Sequence, residues 1–139
     1  MRKRLSQFSV GLLGLGLASC VSPKFEREWK NSPQQRWTGQ WYSEKHHAGG
    51  RLRAVLSPPA AGTMDAFFEA CWHGFTTAYP VTLDAKKQGA GFQIAGQKEL
   101  KSCVGGGLYT YTGTLLPSKF EAQYGARNDA GTFQLTPAP

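Results

Sequence analysis

From Trp37 onward, apolar and polar residues alternate along the chain with a period of two. Because successive side chains of a β-strand point to opposite faces, this period predicts strands with one buried face. Gly, Pro, Asn and Asp separate the alternating segments, as they do at turns. Eight strands are predicted in this way, at about 38–44, 50–57, 63–72, 75–83, 91–97, 107–116, 119–126 and 131–136.

The segments between the predicted strands are mostly of hairpin length, which favours an antiparallel meander. We therefore predict an all-β domain. An eight-stranded up-and-down barrel is favoured because closing the sheet removes its exposed edges. A flattened β-sandwich is the competing architecture, and the pattern alone does not separate the two. The interior of an eight-stranded barrel is either filled by side chains or holds one small ligand.

The first nineteen residues have the pattern of a secretory signal. Basic residues 2–4 precede an apolar run at 8–17, which is shorter than the ~20 residues that span a bilayer. The sequence Leu17-Ala18-Ser19-Cys20 then resembles the bacterial lipobox, and this implies cleavage before Cys20 and a diacylglycerol on its sulfur. A plain secretory signal with an unmodified cysteine is the alternative. The predicted divisions are a signal peptide at 1–19, a lipidated tether at 20–36 and the barrel domain at 37–139.

The tether contains one predicted helix. Ser22-Pro23 has the pattern of a helix N-cap followed by proline at the first helical position. Phe25 and Trp29 are four residues apart and would share one helix face. We expect this short helix to plug one end of the barrel. A disordered tether and a partner-binding segment are the alternatives.

The first predicted strand contains Gly39, Trp41 and Tyr42 in the order G-x-W-Y. This resembles the G-x-W motif of the calycin barrels, the group that includes lipocalins, fatty-acid-binding proteins and avidins. The resemblance implies that the motif lies on strand one and that its tryptophan packs across the closed end of the barrel. The other lipocalin signatures have no clear counterpart, and the avidin ligand residues do not map onto this chain. The resemblance therefore supports the fold rather than a ligand.

Two further cysteines, Cys71 and Cys103, lie near strand ends that an up-and-down meander brings to the same rim. The exported location implied by the signal is oxidising enough for a disulfide between them. Such a bond would stabilise the domain by roughly 3–4 kcal/mol in the chain-entropy model. Two buried free thiols are the alternative.

Catalytic and metal-binding patterns are sparse in the sequence. No G-x-S-x-G motif occurs, and a disulfide would consume the thiol of Cys71 next to His73. Adjacent His46 and His47 chelate poorly together, because neighbouring side chains of an extended segment point apart. We therefore expect no enzymatic activity, no catalytic residues, no cofactor and no metal site.

The net charge of +7 falls to +4 without the basic start of the signal, and the remaining charges are scattered. We therefore expect no nucleic-acid partner, and a membrane partner through the lipid anchor. Val21 follows the lipidated cysteine, where aspartate would signal retention in the inner membrane. A cell-envelope location is therefore expected, in the outer membrane if the host is Gram-negative.

Two functions are consistent with these features. The first is binding of a small apolar or amphipathic ligand inside the barrel. The second is a filled-core barrel whose surface binds an envelope protein, as an assembly partner or inhibitor. Interior volume separates them. The ligand-binding residues of the first hypothesis are Trp41, Tyr79, Tyr109, Tyr111 and Tyr124.

Overall fold

A computed structural model describes residues 22–100 and 106–139. One helix precedes eight strands, and the strands confirm the all-β prediction. The fourth and fifth strands extend further than expected, and in the fourth strand Asp84 and Lys86 continue the outward-facing polar positions rather than starting a turn. The elements are α1 (Pro23–Asn31), β1 (Arg36–Ser43), β2 (Ala48–Leu56), β3 (Thr63–Trp72), β4 (Phe75–Gln88), β5 (Gly91–Leu100), β6 (Gly107–Leu116), β7 (Lys119–Ala126) and β8 (Asp129–Pro137).

The eight strands form a closed antiparallel barrel in which each strand pairs with the next along the chain. The barrel closes where β1 pairs with β8, and Trp41 lies opposite Phe133 there. At this seam the backbones approach so closely that a Cβ atom on Gly39 would lie 1.8 Å from the carbonyl oxygen of Gln134. A Cβ atom on Gly131 would lie 1.8 Å from the carbonyl oxygen of Tyr42. The closed barrel, rather than the sandwich, is the architecture of this chain.

The barrel has two different rims. Rim A carries the β2–β3, β4–β5 and β6–β7 connections together with the start of β1. Rim B carries the β1–β2, β3–β4 and β7–β8 turns. The β5–β6 connection also belongs to rim B, and its residues 101–105 lie outside the described part of the chain.

Side chains from all eight strands fill the middle of the barrel. Phe68 is 1% exposed, and its ring centroid lies 5.3 Å from that of Phe133 and 5.8 Å from that of Tyr79. The Phe68 ring centroid also lies 6.2 Å from the ring centroid of Phe120 and 6.3 Å from the ring centroid of Tyr111. Aliphatic side chains pack between these rings and rim A, namely Met64, Leu83, Ile94 and Leu135.

Helix α1 does not plug an end of the barrel, as the sequence suggested, but lies on the outer wall over β2 and β3. The predicted N-cap is present, since the Ser22 hydroxyl accepts a hydrogen bond from the Phe25 amide at 3.4 Å. Phe25 is fully buried, and its ring lies 5.2 Å from that of Phe67. Phe67 points outward because its neighbour Phe68 points inward. Two adjacent phenylalanines thus leave an apolar patch outside the barrel, and the helix covers it.

A buried ion cluster holds α1 to the wall. The carboxylate of Glu69 is fully buried beneath the helix, although it faces away from the barrel interior. It accepts hydrogen bonds from Arg53 Nη2 at 2.6 Å and from the Ser22 backbone amide at 3.1 Å. Arg53 also pairs with Glu26 of the helix, and its guanidinium lies 4.9 Å from the Trp29 ring centroid. We call Arg53, Glu69, Glu26 and the Ser22 amide the clasp.

Candidate functional site

Four tyrosines meet in the half of the barrel interior nearer rim B. They are Tyr79, Tyr109, Tyr111 and Tyr124, and each is at most 8% exposed. The period-two pattern of β4, β6 and β7 directs all four inward. The structure thus brings together four of the five residues that the ligand hypothesis named. We call these four residues the tyrosine cluster.

The hydroxyl groups of the tyrosine cluster have partners within the protein. The hydroxyl oxygens of Tyr79 and Tyr111 lie 3.0 Å apart, and the Tyr124 hydroxyl donates to the Tyr42 carbonyl oxygen at 3.4 Å. Beside Tyr124, the Ser43 hydroxyl donates to Asp129 Oδ1 at 2.6 Å. Within residues 22–100 and 106–139, no buried side-chain nitrogen or oxygen lacks a hydrogen-bond partner. The cluster therefore offers no orphaned polar atom that calls for a ligand.

Trp41, the fifth residue of the ligand hypothesis, lies beside the tyrosine cluster and bridges strands. Its indole nitrogen donates to the Cys71 carbonyl oxygen at 3.3 Å, across the intervening strand β2. Gly50 of β2 leaves room for this contact, since a Cβ atom there would lie 2.0 Å from the same oxygen. The indole is partly buried against the core. The contacts of Trp41 are those of a structural residue near rim B.

Burial raises the pKa of each phenol in the tyrosine cluster, because the tyrosinate would be charged in an apolar interior. The effect is large for Tyr79, where the neighbouring Tyr111 adds to it. It raises the pKa of Tyr111 to about 12, although the hydrogen bond with Tyr79 acts in the opposite direction. For Tyr109 and Tyr124, the Asp129 carboxylate adds to the effect of burial. All four side chains are neutral at physiological pH.

We expect the barrel to lose stability in alkali. Unfolded tyrosines ionise near pH 10, so above this pH the unfolded chain binds fewer protons than the folded one. Stability is unaffected by these groups below that pH and falls as the pH rises through the folded pKa of Tyr111, about 12. Each fully shifted tyrosine contributes up to about 1.4 kcal/mol per pH unit. Urea unfolding at a series of alkaline pH values measures this slope, and Tyr111→Phe should reduce it. Tyrosinate absorbance that titrates identically in the native and the urea-unfolded chain would contradict the prediction.

A cleft of about 240 Å³ opens at rim A. Lys87 lies at its edge, with its Nζ atom 5.3 Å from the Phe92 ring centroid. Sequence reasoning missed this cleft, although the proline pair Pro58-Pro59 and the apolar end of β6 were visible signals. The apolar lining residues are Trp37, Leu56, Pro58, Pro59, Ala90, Phe92, Leu115, Leu116 and Pro117. We call this the rim A cleft.

Rim B exposes aromatic side chains. Trp72 and Phe75 form the last pair of the β3–β4 ladder, and they are 43% and 75% exposed. The turn between them, His73-Gly74, has positive φ angles at both residues, as two-residue hairpins prefer. The outer wall also has an open depression of about 320 Å³ next to Gly49 and Gly50, lined about equally by polar and apolar groups.

The remaining predicted positions are spread over the surface or lie outside the described residues. Cys71 is the penultimate residue of β3. Cys103 and Cys20 lie outside the described residues, so the disulfide and the lipidation stay predictions. His46 contacts the Asn128 carbonyl oxygen at 3.1 Å, and the ring of His73 lies 4.5 Å from that of Trp72.

Two further features were sought in the described ranges. Across 22–100 and 106–139, no three His, Cys, Asp or Glu residues are grouped so that they could hold a metal ion. In the same part of the chain, no helix is both long and apolar enough to cross a membrane.

Comparison with known proteins adds no relative to this description. No protein-family model, curated protein or solved structure matches the chain.

Proposed function

We propose that this protein is a lipid-anchored cell-envelope barrel that binds a partner protein through the rim A cleft. The observation that carries the proposal is an open apolar cleft at one rim of a barrel whose middle is occupied by side chains. The closed eight-stranded antiparallel barrel is compatible with a calycin-like domain. In this proposal Cys20 carries the lipid, Cys71 and Cys103 form a disulfide, and the membrane is the outer one in a Gram-negative host.

The packing of the interior supports a protein partner over a ligand inside the barrel. Four aromatic rings surround Phe68, so a ligand there would have to displace them. The hydroxyl groups of Tyr79 and Tyr111 already bond to each other. A ligand that separated them would have to replace this bond or leave buried hydroxyls unpaired, which costs about 1–3 kcal/mol for each group.

The size and charge of the rim A cleft indicate what the partner contributes. Pockets for small molecules usually measure about 300–1,000 Å³ and enclose most of the ligand, whereas this cleft is smaller and open to solvent. It suits one or two apolar side chains of a protein segment. Lys87 stands at the edge of the cleft beside Phe92, and Lys86 precedes it on the exposed end of β4. These cations favour an acidic residue next to the apolar anchor of the partner.

Site-specific photo-cross-linking in the producing cells tests this proposal. A photo-reactive phenylalanine analogue replaces Ala90 in the β4–β5 turn beside the cleft, or Asn128 in the β7–β8 turn at the opposite rim. We expect a discrete adduct with one envelope protein at position 90 and none at position 128. The adduct must then be reproduced with the purified partner. Equal adducts at both positions would contradict the proposal.

A matched pair of leucines supplies the control. Leu116 lines the cleft and Leu108 does not, yet both lie on β6 and are 38% and 46% exposed. We expect Leu116→Asp to lower the affinity for the purified partner about tenfold, since losing a well-packed anchor contact costs roughly 1–2 kcal/mol. Leu108→Asp should leave the affinity unchanged.

A small apolar ligand in the same cleft is the second candidate, favoured by the mostly apolar lining, although Gln34, Gln35 and Ser57 also line the cleft. Native mass spectrometry of the mature protein distinguishes it from a protein partner. If the wild-type protein carries a bound small molecule and Leu116→Asp abolishes this binding, the cleft binds a small ligand rather than a protein partner. A clean unliganded mass after incubation with fatty acids and envelope lipids is the result that the protein-binding proposal expects.

A further inference from the structure

The chain is fixed to the barrel wall immediately after the predicted anchor. The Ser22 backbone amide donates to Glu69 Oε2 at 3.1 Å, and Glu69 is fully buried. Helix α1 then runs from this point toward rim A, where Arg36 Nε donates to the Trp29 carbonyl oxygen at 2.6 Å. The clasp therefore decides from which part of the wall the anchor departs, and that part is the outer face of β3.

The distance from this point to the membrane is short. Ser22 is two residue steps from Cys20, and an extended chain gains at most about 3.6 Å per step, or roughly 7 Å in all. The headgroup layer on each side of a bilayer is of similar thickness, about 5–7 Å. An acylated Cys20 would therefore hold this part of the wall against the headgroups, without a long flexible tether between them.

Two exposed aromatic residues lie at the rim B end of the β3–β4 hairpin. Trp72 is three residues beyond Glu69 toward rim B, which is about 10 Å along β3. Phe75 pairs with Trp72 across the hairpin and is the most exposed of the large apolar side chains described. Tryptophan is enriched at the membrane interface, where its ring contacts both acyl chains and headgroups.

The turns of rim B carry the cations Lys45 and Arg127 beside the acids Glu44 and Asp129. Lys45 of the β1–β2 turn donates to the Arg127 carbonyl oxygen at 3.1 Å, which brings the exposed turns of two hairpins together. Arg51, on the outer wall beside the clasp, pairs with Glu69 Oε1 at 3.5 Å and keeps 48% of its side chain exposed. Cations near a surface of anionic lipid are attracted to it.

From these observations we infer that the β3–β4 hairpin, with Trp72 and Phe75 at its end, enters the headgroup region of an anionic bilayer as a second membrane contact beside Cys20. Rim B then faces the membrane, and the rim A cleft faces away from it. This inference rests on acylation of Cys20, which belongs to the proposed function. Binding of a partner protein at the rim A cleft does not depend on insertion of the hairpin into the bilayer.

Tryptophan quenching in vesicles tests the inference. The mature lipoprotein is purified from cells that process it and reconstituted into vesicles of phosphatidylcholine and phosphatidylglycerol. The acyl chains carry bromine near the headgroups. We expect the lipid to quench the wild-type protein, Trp72→Phe to remove most of the quenching, and Trp37→Phe at rim A to retain it. Phe75→Asp, at an exposed position that the fold does not need, should weaken the quenching of Trp72.

Three outcomes would overturn the inference, and they separate its failure from that of the anchor. An intact mass without acyl groups on Cys20 would remove the lipid anchor of the proposed function and the hairpin contact together. An acylated protein quenched equally with and without Trp72 would refute the hairpin contact alone. Cross-links between the hairpins of two copies, which would shield Trp72 from lipid, would also refute the hairpin contact.

Discussion

Replacing Phe68 with alanine lowers the free energy of unfolding by about 3–5 kcal/mol. The ring lies at the centre of the barrel, and four other rings surround it. Its removal loses the transfer free energy of the ring and leaves a cavity that strands closed into a barrel cannot collapse to fill. Urea unfolding of the wild-type and variant proteins, followed by circular dichroism, measures the difference.

Phe75→Ala is the matched control for this prediction. Phe75 lies on the neighbouring strand and is 75% exposed, so the same substitution should change stability by no more than about 0.5 kcal/mol. If Phe68→Ala costs no more than Phe75→Ala, the middle of the barrel is not filled as described. The argument against a ligand inside it would then fail as well.

Replacing Glu69 with glutamine is expected to cost about 3 kcal/mol. The substitution keeps the volume of the side chain but removes the charge that faces Arg53 Nη2 at 2.6 Å in the buried clasp. Breaking a buried ion pair costs about 3–5 kcal/mol, and the lower end applies because Glu26 remains as a partner of Arg53. Urea unfolding measures the loss of stability, and limited proteolysis between residues 22 and 35 should show that α1 is released more often.

Glu121→Gln tests whether burial of the ion pair is the cause of the stability loss expected for Glu69→Gln. Glu121 pairs with Lys119 at 2.8 Å, but both side chains are about half exposed. Exposed pairs contribute about 0–1 kcal/mol, because water and salt screen them. Similar losses for the two substitutions would show that the clasp is no more than a surface ion pair.

The amino-acid sequence predicted the strands and their order well, because period-two alternation and hairpin-length connections are local features. From Tyr79 to Leu83 every second residue is apolar, with Pro80 and Thr82 on the opposite face, and the structure has β4 there. The same pattern placed the four residues of the tyrosine cluster on the inward faces of β4, β6 and β7. Closing the meander was sufficient to bring them together.

Other features depended on contacts between distant parts of the chain. The alternation around Phe67 and Phe68 does not state which of two adjacent apolar residues faces inward, so the docking site of α1 was not visible. Glu69 resembled an ordinary surface acid on an outward position, and only the helix placed over it makes it a buried partner of Arg53. The rim A cleft likewise forms between connections that are far apart in sequence.

The sequence by itself therefore determined the strands, their up-and-down order and the residues that share each face, since these follow from backbone geometry over a few residues. Only the tertiary structure decided that α1 lies on the outer wall, that side chains fill the middle of the barrel, and that the rims differ. The physical reason is that volume and burial depend on which surfaces meet. The rings around Phe68 come from β4, β6, β7 and β8, and no local pattern specifies how much space they leave.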